Sequence, residues 1–237
     1  MIKPTKNYLS VRYSEDRRPK NDYPNKLASY LVEKYNLKNS KSLIDVGCGR
    51  GDMMKAFKIL GLEVSGLDNS SESKKMNPDL EIFEHNADEE IINVKKKFDI
   101  VFSKSLIEHL KNPLNFLNNC KNLLNKDGTV IILTPSWYHH NFGPFYLDTT
   151  HITPFTFHSL RDTAFDAEFK NVEVNYFYQL PFVWNNNFLK IIPKTISALK
   201  LPYFPMYDHL FPKIWPNGVN KIIRFSREVM LISVMKL

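Results

Sequence analysis

At 237 residues, 43% hydrophobic and 24% charged, the chain has the composition of a folded protein and the length to bury one substantial core. Two cysteines, Cys48 and Cys120, exclude a disulfide scaffold and lack metal-ligand spacing. No apolar run is long enough to span a bilayer, and the polar, basic stretch from Met1 to Lys20 is unlike a signal peptide, so a cytoplasmic protein is expected. The formal net charge of +7 admits anionic partners, but the basic residues run along the chain without an arginine block, which reads as a lysine-rich surface.

Residues 1–24 are polar, with a charged patch from Ser14 to Lys20, and form a loop or short helix. Asn25 is placed to cap a helix in which Leu27, Tyr30, Leu31 and Tyr35 recur at helical spacing. A buried-strand run, Leu43 to Val46, then enters a glycine turn. Gly47, Gly49 and Gly51 are three of the chain's eight glycines, and the helical run from Met53 to Leu60 follows at once. Strand, glycine turn and helix N-terminus together make a site for a nucleotide-type ligand. The spacing misses the dinucleotide pattern G-x-G-x-x-G, because Asp52 stands where its third glycine would be. An acid at a helix start repels a pyrophosphate, so the ligand expected here carries no phosphate.

Met53, Met54, Ala56, Phe57 and Leu60 give the helix an apolar face, and Gly61 stops it. A second strand, Leu62 to Leu67, ends at Asp68, about twenty residues past the turn, where an acid grips ribose hydroxyls. Capping the next helix is the other reading of Asp68, a role open also to Asn69 and Ser70. Leu80 to Phe83 reads as a third strand and Phe98 to Ser103 as a fourth, with Glu108 and His109 at its carboxyl end. Pro113 opens a helix carrying Leu114, Phe116, Leu117, Cys120, Leu123 and Leu124. Lys126-Asp127-Gly128 ends it, and Thr129 to Leu133 makes a fifth strand.

The loop from Ser136 to Thr153 crowds polar and aromatic groups at that strand's end. Trp137, Tyr138, His139, His140, Tyr146 and Thr150 are candidates for the wall of a substrate pocket. A metal is not expected, since adjacent His139 and His140 point apart and no acidic ligand has fixed spacing. Thr156 caps a helix with Phe157, Leu160, Ala164 and Phe165 inward, and Val172 to Tyr178 alternates as a sixth strand. The final strand is Glu228 to Met235. Between these two lies an insertion rich in proline and aromatic residues, among them Phe182, Trp184, Phe188, Tyr203, Phe204, Tyr207, Phe211 and Trp215, that cannot be one helix. It forms a lid over the pocket, or it contacts a membrane or partner through residues 182–215. Leu189 to Leu201, apolar with Lys190, Lys194 and Lys200, has the weak pattern of an interfacial helix.

The stretch Leu43-Ile44-Asp45-Val46-Gly47-Cys48-Gly49-Arg50-Gly51 resembles the first motif of the class I S-adenosylmethionine-dependent methyltransferases, and the resemblance runs from about Ser42 to Phe169. It implies an α/β fold: a Rossmann-like, doubly wound, seven-stranded, mostly parallel sheet with an antiparallel last strand and helices on both faces. The corresponding layout is a cap segment at 1–40, a cofactor-binding core at 41–178, the insertion at 179–226 and a final strand at 227–237. The implied cofactor is S-adenosylmethionine, leaving S-adenosylhomocysteine as product. Asp45, Gly47, Cys48, Gly49, Gly51, Asp68 and Asn69 would hold it from the first two strands. Asn86, Ala87 and Asp88 would meet the adenine, Asp88 being the better partner for its amino group, and Ser103, Lys104 and Ser105 would line the remainder. The first helix would close over the methionine end, with Tyr13, Arg17 and Tyr23 available for closure.

The Glu108-His109 pair and the segment Asp148 to Thr156 resemble one large subgroup of that family, types 11 and 23, in which a histidine faces the active site. His151 is thereby the candidate general base, with tethering of its loop as the alternative. His109 is a second catalytic candidate, with a structural role as its alternative. Where the family usually has glycine before the aromatic that follows the penultimate helix, this chain has Glu168-Phe169. The activity expected is O-methylation of a small-molecule or sugar hydroxyl. The alternatives are a lipid-like or lipid-linked acceptor such as a quinone or glycolipid, and a silent cofactor-binding regulator. Nucleic acid is not expected as substrate, for want of an appended binding module.

Overall fold

The computed structural model describes Leu9 and residues 19–89, 91–140, 145–201 and 217–237. Tyr13, Arg17 and the insertion's aromatic residues from Tyr203 to Trp215 lie outside the described residues. Seven strands form one sheet: β1 (Ser42–Val46), β2 (Glu63–Asp68), β3 (Glu81–Glu84), β4 (Phe98–Lys104), β5 (Leu124–Pro135), β6 (Asn171–Phe177) and β7 (Met230–Lys236). Their order is β3-β2-β1-β4-β5-β7-β6, and only β7 runs against its neighbours. The helices are α1 (Tyr23–Lys34), α2 (Asp52–Ile59), α3 (Ser71–Met76), α4 (Pro113–Leu123), α5 (Trp137–His140), α6 (Phe157–Asp166), α7 (Ile191–Leu199) and α8 (Asn217–Arg227). This is the doubly wound sheet that the resemblance implied.

The central strands read as continuous apolar runs because both of their faces are covered. Side chains alternate between two cores. Leu43, Ile100, Phe102, Ile131, Leu133 and Ile232 face the core under α1 and α2, whereas Ile44, Val101, Val130, Ile132 and Leu231 face the one under α4 and α6. At the amino edge of the sheet, Asp99 Oδ2 accepts from Lys41 N at 2.7 Å and Ser42 N at 3.1 Å, which pins β1 to β4 away from the site.

Several local expectations are corrected. Asp22, not Asn25, stands at the N-cap of α1. Pro24 in the first turn needs no backbone donor, so the helix starts earlier, and the Asn25 side chain donates to Asp22 Oδ1. Leu60 and Phe165 face outward, 40% and 48% exposed. β5 begins at Leu124, which pairs with Phe98, so α4 stops before Leu124 and the segment from Lys126 to Gly128 sits within a bulged strand. The Glu168-Phe169 departure leaves the helix ending intact. Glu168 adopts φ +64°, its N–H donates to Phe165 O at 2.8 Å, and Phe169 N–H donates to Ala164 O at 3.2 Å, the paired bonds of a Schellman ending. Lys121 Nζ holds that ending by donating to Ala167 O at 2.8 Å and pairing with Glu168 at 2.9 Å.

The sheet register fixes where the insertion sits. Met230 pairs with both Pro135 and Phe177, so the insertion leaves and re-enters at the carboxyl edge of the sheet, the edge that carries the glycine turn.

Candidate active site

The glycine turn is shaped by main-chain bonds. Gly47 N and Cys48 N both donate to Leu67 O, at 2.7 and 3.1 Å, and Gly51 N donates to Cys48 O at 2.8 Å. Gly51 has φ +75°, and a Cβ there would lie 2.7 Å from Asn77 Oδ1, so the position excludes any side chain. Gly66 in β2 is required for a different reason: a Cβ would meet Cys48 Sγ and Met54 Sδ at 2.7 Å each. Ser73 supports the turn from α3 by donating to Gly49 O, and it is itself braced by Asn77 Nδ2 on its carbonyl at 2.9 Å. The acid at the start of α2 is paired: Arg50 reaches Asp52 at 2.6 Å.

Asp68 closes the end of β2. Its Oδ2 accepts from Gly49 N at 2.8 Å and its Oδ1 from Ser70 N at 2.9 Å. Burial raises its pKa and these two donors oppose the rise. Each carboxylate oxygen has a second lone pair, so the group can still accept from a diol while the turn holds it in place. Asn69 is exposed beside it, and helix α3 is capped by Ser70, whose Oγ accepts from Glu72 N at 3.3 Å. Asp45 is buried in β1, and burial together with the Asp68 charge pushes its pKa up to about 8.

Past β3, Asn86 Oδ1 accepts from Asp88 N at 3.1 Å, Ala87 is buried, and Asp88 Oδ1 accepts from Lys111 N at 2.8 Å. Asp88 therefore ties this loop to the segment after β4 and keeps Oδ2 for another donor. Ser103 is the residue whose structural role is plainest. Buried, it donates to Val46 O at 2.8 Å and so joins β4 to β1. Ser105 takes φ +58°, and the Leu106 side chain behind it backs onto Gly47.

The segment after β4 and the loop after β5 are laced together. The carbonyl of Glu108 accepts from both Ile152 N and Thr153 N at 2.9 Å, and Thr153 Oγ1 donates to Leu110 O at 2.7 Å. The loop's base is closed by a bridge between Ser136 and Phe155. His109 and His151 meet edge to face, ring centroids 4.6 Å apart. His151 Nδ1 lies 2.7 Å from Phe145 O, and His109 Nδ1 lies 3.2 Å from Thr150 O and 3.0 Å from Thr150 Oγ1. A carbonyl only accepts, so Nδ1 of His151 carries the proton and a neutral ring has its lone pair on Nε2. Glu108 is fully buried. Its Oε2 accepts from Thr134 Oγ1 at 2.9 Å, its Oε1 has no hydrogen-bond partner, and burial pushes its pKa up to about 7.

Glu108 is the group that sequence reasoning passed over. It was visible only as half of a Glu-His pair, and its burial depends on Thr134, twenty-six positions away. One ligand atom each from Glu108, His109 and His151 lies within 4.8 Å of the others, the one group of potential metal ligands among the described residues. The histidines at 139 and 140 are not part of it. His139 takes Ser136 Oγ at 2.9 Å on Nδ1 and packs on Tyr176 of β6, and buried His140 bonds Ser136 O at 3.0 Å. Burial lowers the pKa of each to about 4, so both rings are neutral. Trp137 packs on Phe145 and Tyr146, and Phe145 packs on His151, while Tyr138 and Tyr146 are well exposed. Lys104 links the two halves: its charge opposes the rise that burial imposes on the pKa of Asp45 on one side and of Glu108 on the other.

A glycine cradle without phosphate donors, an acid for a diol and a separate histidine cluster define a class I S-adenosylmethionine-dependent methyltransferase fold, with S-adenosylmethionine as its cofactor. A family model described as a methyltransferase domain matches residues 13–174, more than half of the chain, and the chain belongs to that family. Among curated relatives it is similar to the ubiquinone biosynthesis O-methyltransferase of Glaesserella parasuis serovar 5 (strain SH0165). The identity is 32% over 124 residues, covering 45% of this chain and 50% of the relative. The chain thus matches about half the length of such relatives. Among solved structures it is similar to a SAM-dependent methyltransferase from Archaeoglobus fulgidus (TM-score 0.62, 19% identity, 96% of this chain and 99% of that one). It is also similar to the plantazolicin methyltransferase BamL, solved in complex with a triazolic desmethylPZN analog and SAH (TM-score 0.59, 17% identity, 96% and 89%).

Proposed function

We propose that the chain methylates a hydroxyl oxygen, with His151 as the general base. The observation that carries this reading is the Nδ1 contact of His151 with Phe145 O, which fixes the ring and leaves Nε2 as the basic atom, beside His109 and Glu108 at the carboxyl edge of the sheet. Bound S-adenosylmethionine supplies a methyl group on a sulfonium, which leaves as a neutral thioether. Such a donor is already activated, so the protein's part is alignment and proton removal. Gly47 to Gly51 and Asp68 would hold the nucleoside, and His151 Nε2 would take the acceptor's proton as the O–C bond forms. Buried Glu108, with a pKa of about 7, can stabilise a charged imidazole beside it or accept a proton in turn.

Two acceptor classes remain in this reading, a small-molecule or sugar hydroxyl and a lipid-like one. The relatives named for ubiquinone biosynthesis support the second, as does the apolar insertion at the same sheet edge. Both cysteines are buried free thiols, which supports a reducing, cytoplasmic setting.

The test is transfer of radiolabelled methyl from S-adenosylmethionine to fractionated metabolites and lipid extracts. Replacing His151 with alanine is expected to lower turnover by about 10²–10⁴-fold while S-adenosylhomocysteine affinity stays unchanged. Unaltered turnover removes the base assignment. Turnover abolished by a chelator and restored by a divalent cation would reassign Glu108, His109 and His151 as ligands. Cofactor binding without any labelled product would favour the silent regulator.

A further inference from the structure

We propose that the outer face of α7, with Phe188 before it and lysines at its margin, is a docking surface for an anionic lipid bilayer. Its apolar side chains are exposed in sequence: Phe188 at 77%, Ile191 at 55%, Ile192 at 42% and Leu199 at 64%. The helical period gathers Ile191, Ile192, Ala198 and Leu199 on one outward arc with Lys194 at its edge, while Pro193 points inward and is buried. The inward side is well anchored. α7 packs on α8, Leu189 and Phe225 lie against the core, and Trp184 stacks between Tyr23, Tyr30 and Phe177.

Charge selects the partner. Residues 179–226 carry six Lys or Arg and one acidic residue, so five of the chain's seven net positive charges come from this segment, and the remainder is nearly balanced. Burial and the neighbouring charges of Lys34 and Lys194 hold Lys190 below its ordinary pKa, so positive charge is crowded here. A second copy would set like charge against like charge, whereas an anionic membrane surface matches both the lysines and the apolar arc. The segment that carries this surface leaves and re-enters at the carboxyl edge of the sheet, the edge on which β5 ends.

The experiment is flotation of the full chain with vesicles of equimolar phosphatidylglycerol and phosphatidylcholine, and with phosphatidylcholine alone. We expect binding to the anionic vesicles, at least tenfold weaker on neutral ones. Both Lys194→Glu/Lys200→Glu and Ile191→Asp/Leu199→Asp should reduce it by tenfold or more, with S-adenosylhomocysteine affinity kept as the measure of intact folding. The lysine variant leaves the apolar arc intact and carries the test if the apolar one misfolds. Absence of binding to anionic vesicles overturns the proposal, as does binding that neither variant weakens. So does a dimer, seen by light scattering, that Ile191→Asp/Leu199→Asp dissolves. No methyl transfer is measured, so this proposal and the acceptor reading can fail separately.

Discussion

On the donor half of the rim, between β1 and β3, the contacts are made by the main chain: Leu67 O holds two amides of the glycine turn, and Asp68 is held by two more. On the half proposed for the acceptor, between β4 and β5, titratable side chains and rings join the main-chain bonds to Glu108 O, with Glu108, His109 and His151 packed beside Thr134 and Phe145. The first half tolerates only what backbone angles allow. Buried carboxyls lie in both, Asp45 with a pKa of about 8 in the first and Glu108 with one of about 7 in the second, but the second sets its carboxyl beside two imidazole rings.

The comparison is broken most severely at Gly51. Gly51→Ala places a Cβ against Asn77 at a positive φ, and strain with overpacking should cost about 2–4 kcal/mol of stability. Urea unfolding would register this, and a variant as stable as the parent would mean that the turn is not rigid. The acceptor half should answer to pH. Glu108 has a folded pKa of about 7 against an ordinary value of 4.5, so the folded state binds the extra proton between them. Stability is full below about pH 4.5 and is lost as pH rises through about 7, by about 3 kcal/mol relative to Glu108→Gln. Denaturation midpoints of the two proteins at pH 5 and pH 8 should diverge at the higher pH; parallel midpoints would show that Glu108 is solvated.

Smaller is the effect at Asp68, where Asp68→Asn keeps the size and removes the charge. S-adenosylhomocysteine affinity should fall by about tenfold to a hundredfold, on the order of 1.5–3 kcal/mol; burial raises the Asp68 pKa as well, so the variant should also lose part of the parent's decline in stability toward high pH. Calorimetry that finds unchanged affinity would take Asp68 out of the site. Smallest is Glu168→Gly, outside both halves. Relief of a left-handed backbone should add about 0.5–1 kcal/mol, less the exposed ion pair with Lys121. A loss in thermal unfolding would show that the Lys121 pair outweighs the strain.

What the sequence disclosed follows the same division. The glycine turn is legible because its geometry forces one residue type at fixed spacing, and Asp68 because it ends the next strand. The central strands were legible as apolar runs and β6 by its alternation. Glu108 was obscure, since its environment comes from Thr134 on another strand, and adjacent letters carry no sign of burial. The resemblance had already set His151 apart from His139 and His140, but the partners of those two, Ser136 and Tyr176, were not readable from the sequence. Leu60 and Phe165 were misjudged because they fall near the ends of their helices, where an apolar letter need not face the core. The charge of the insertion was readable from composition, yet a sum over the whole chain concealed it.

Trp184 is wedged among Tyr23, Tyr30 and Phe177, and its indole N–H is spent on Tyr178 O at 2.7 Å. The insertion is thus a keystone of the first helix's seat as well as an appendage. Trimming it to retarget the enzyme would uncover a ring-lined socket on α1, and any grafted replacement would have to bring a flat aromatic plug of its own. Changes to the segment are better confined to its outer residues than made by exchanging it whole.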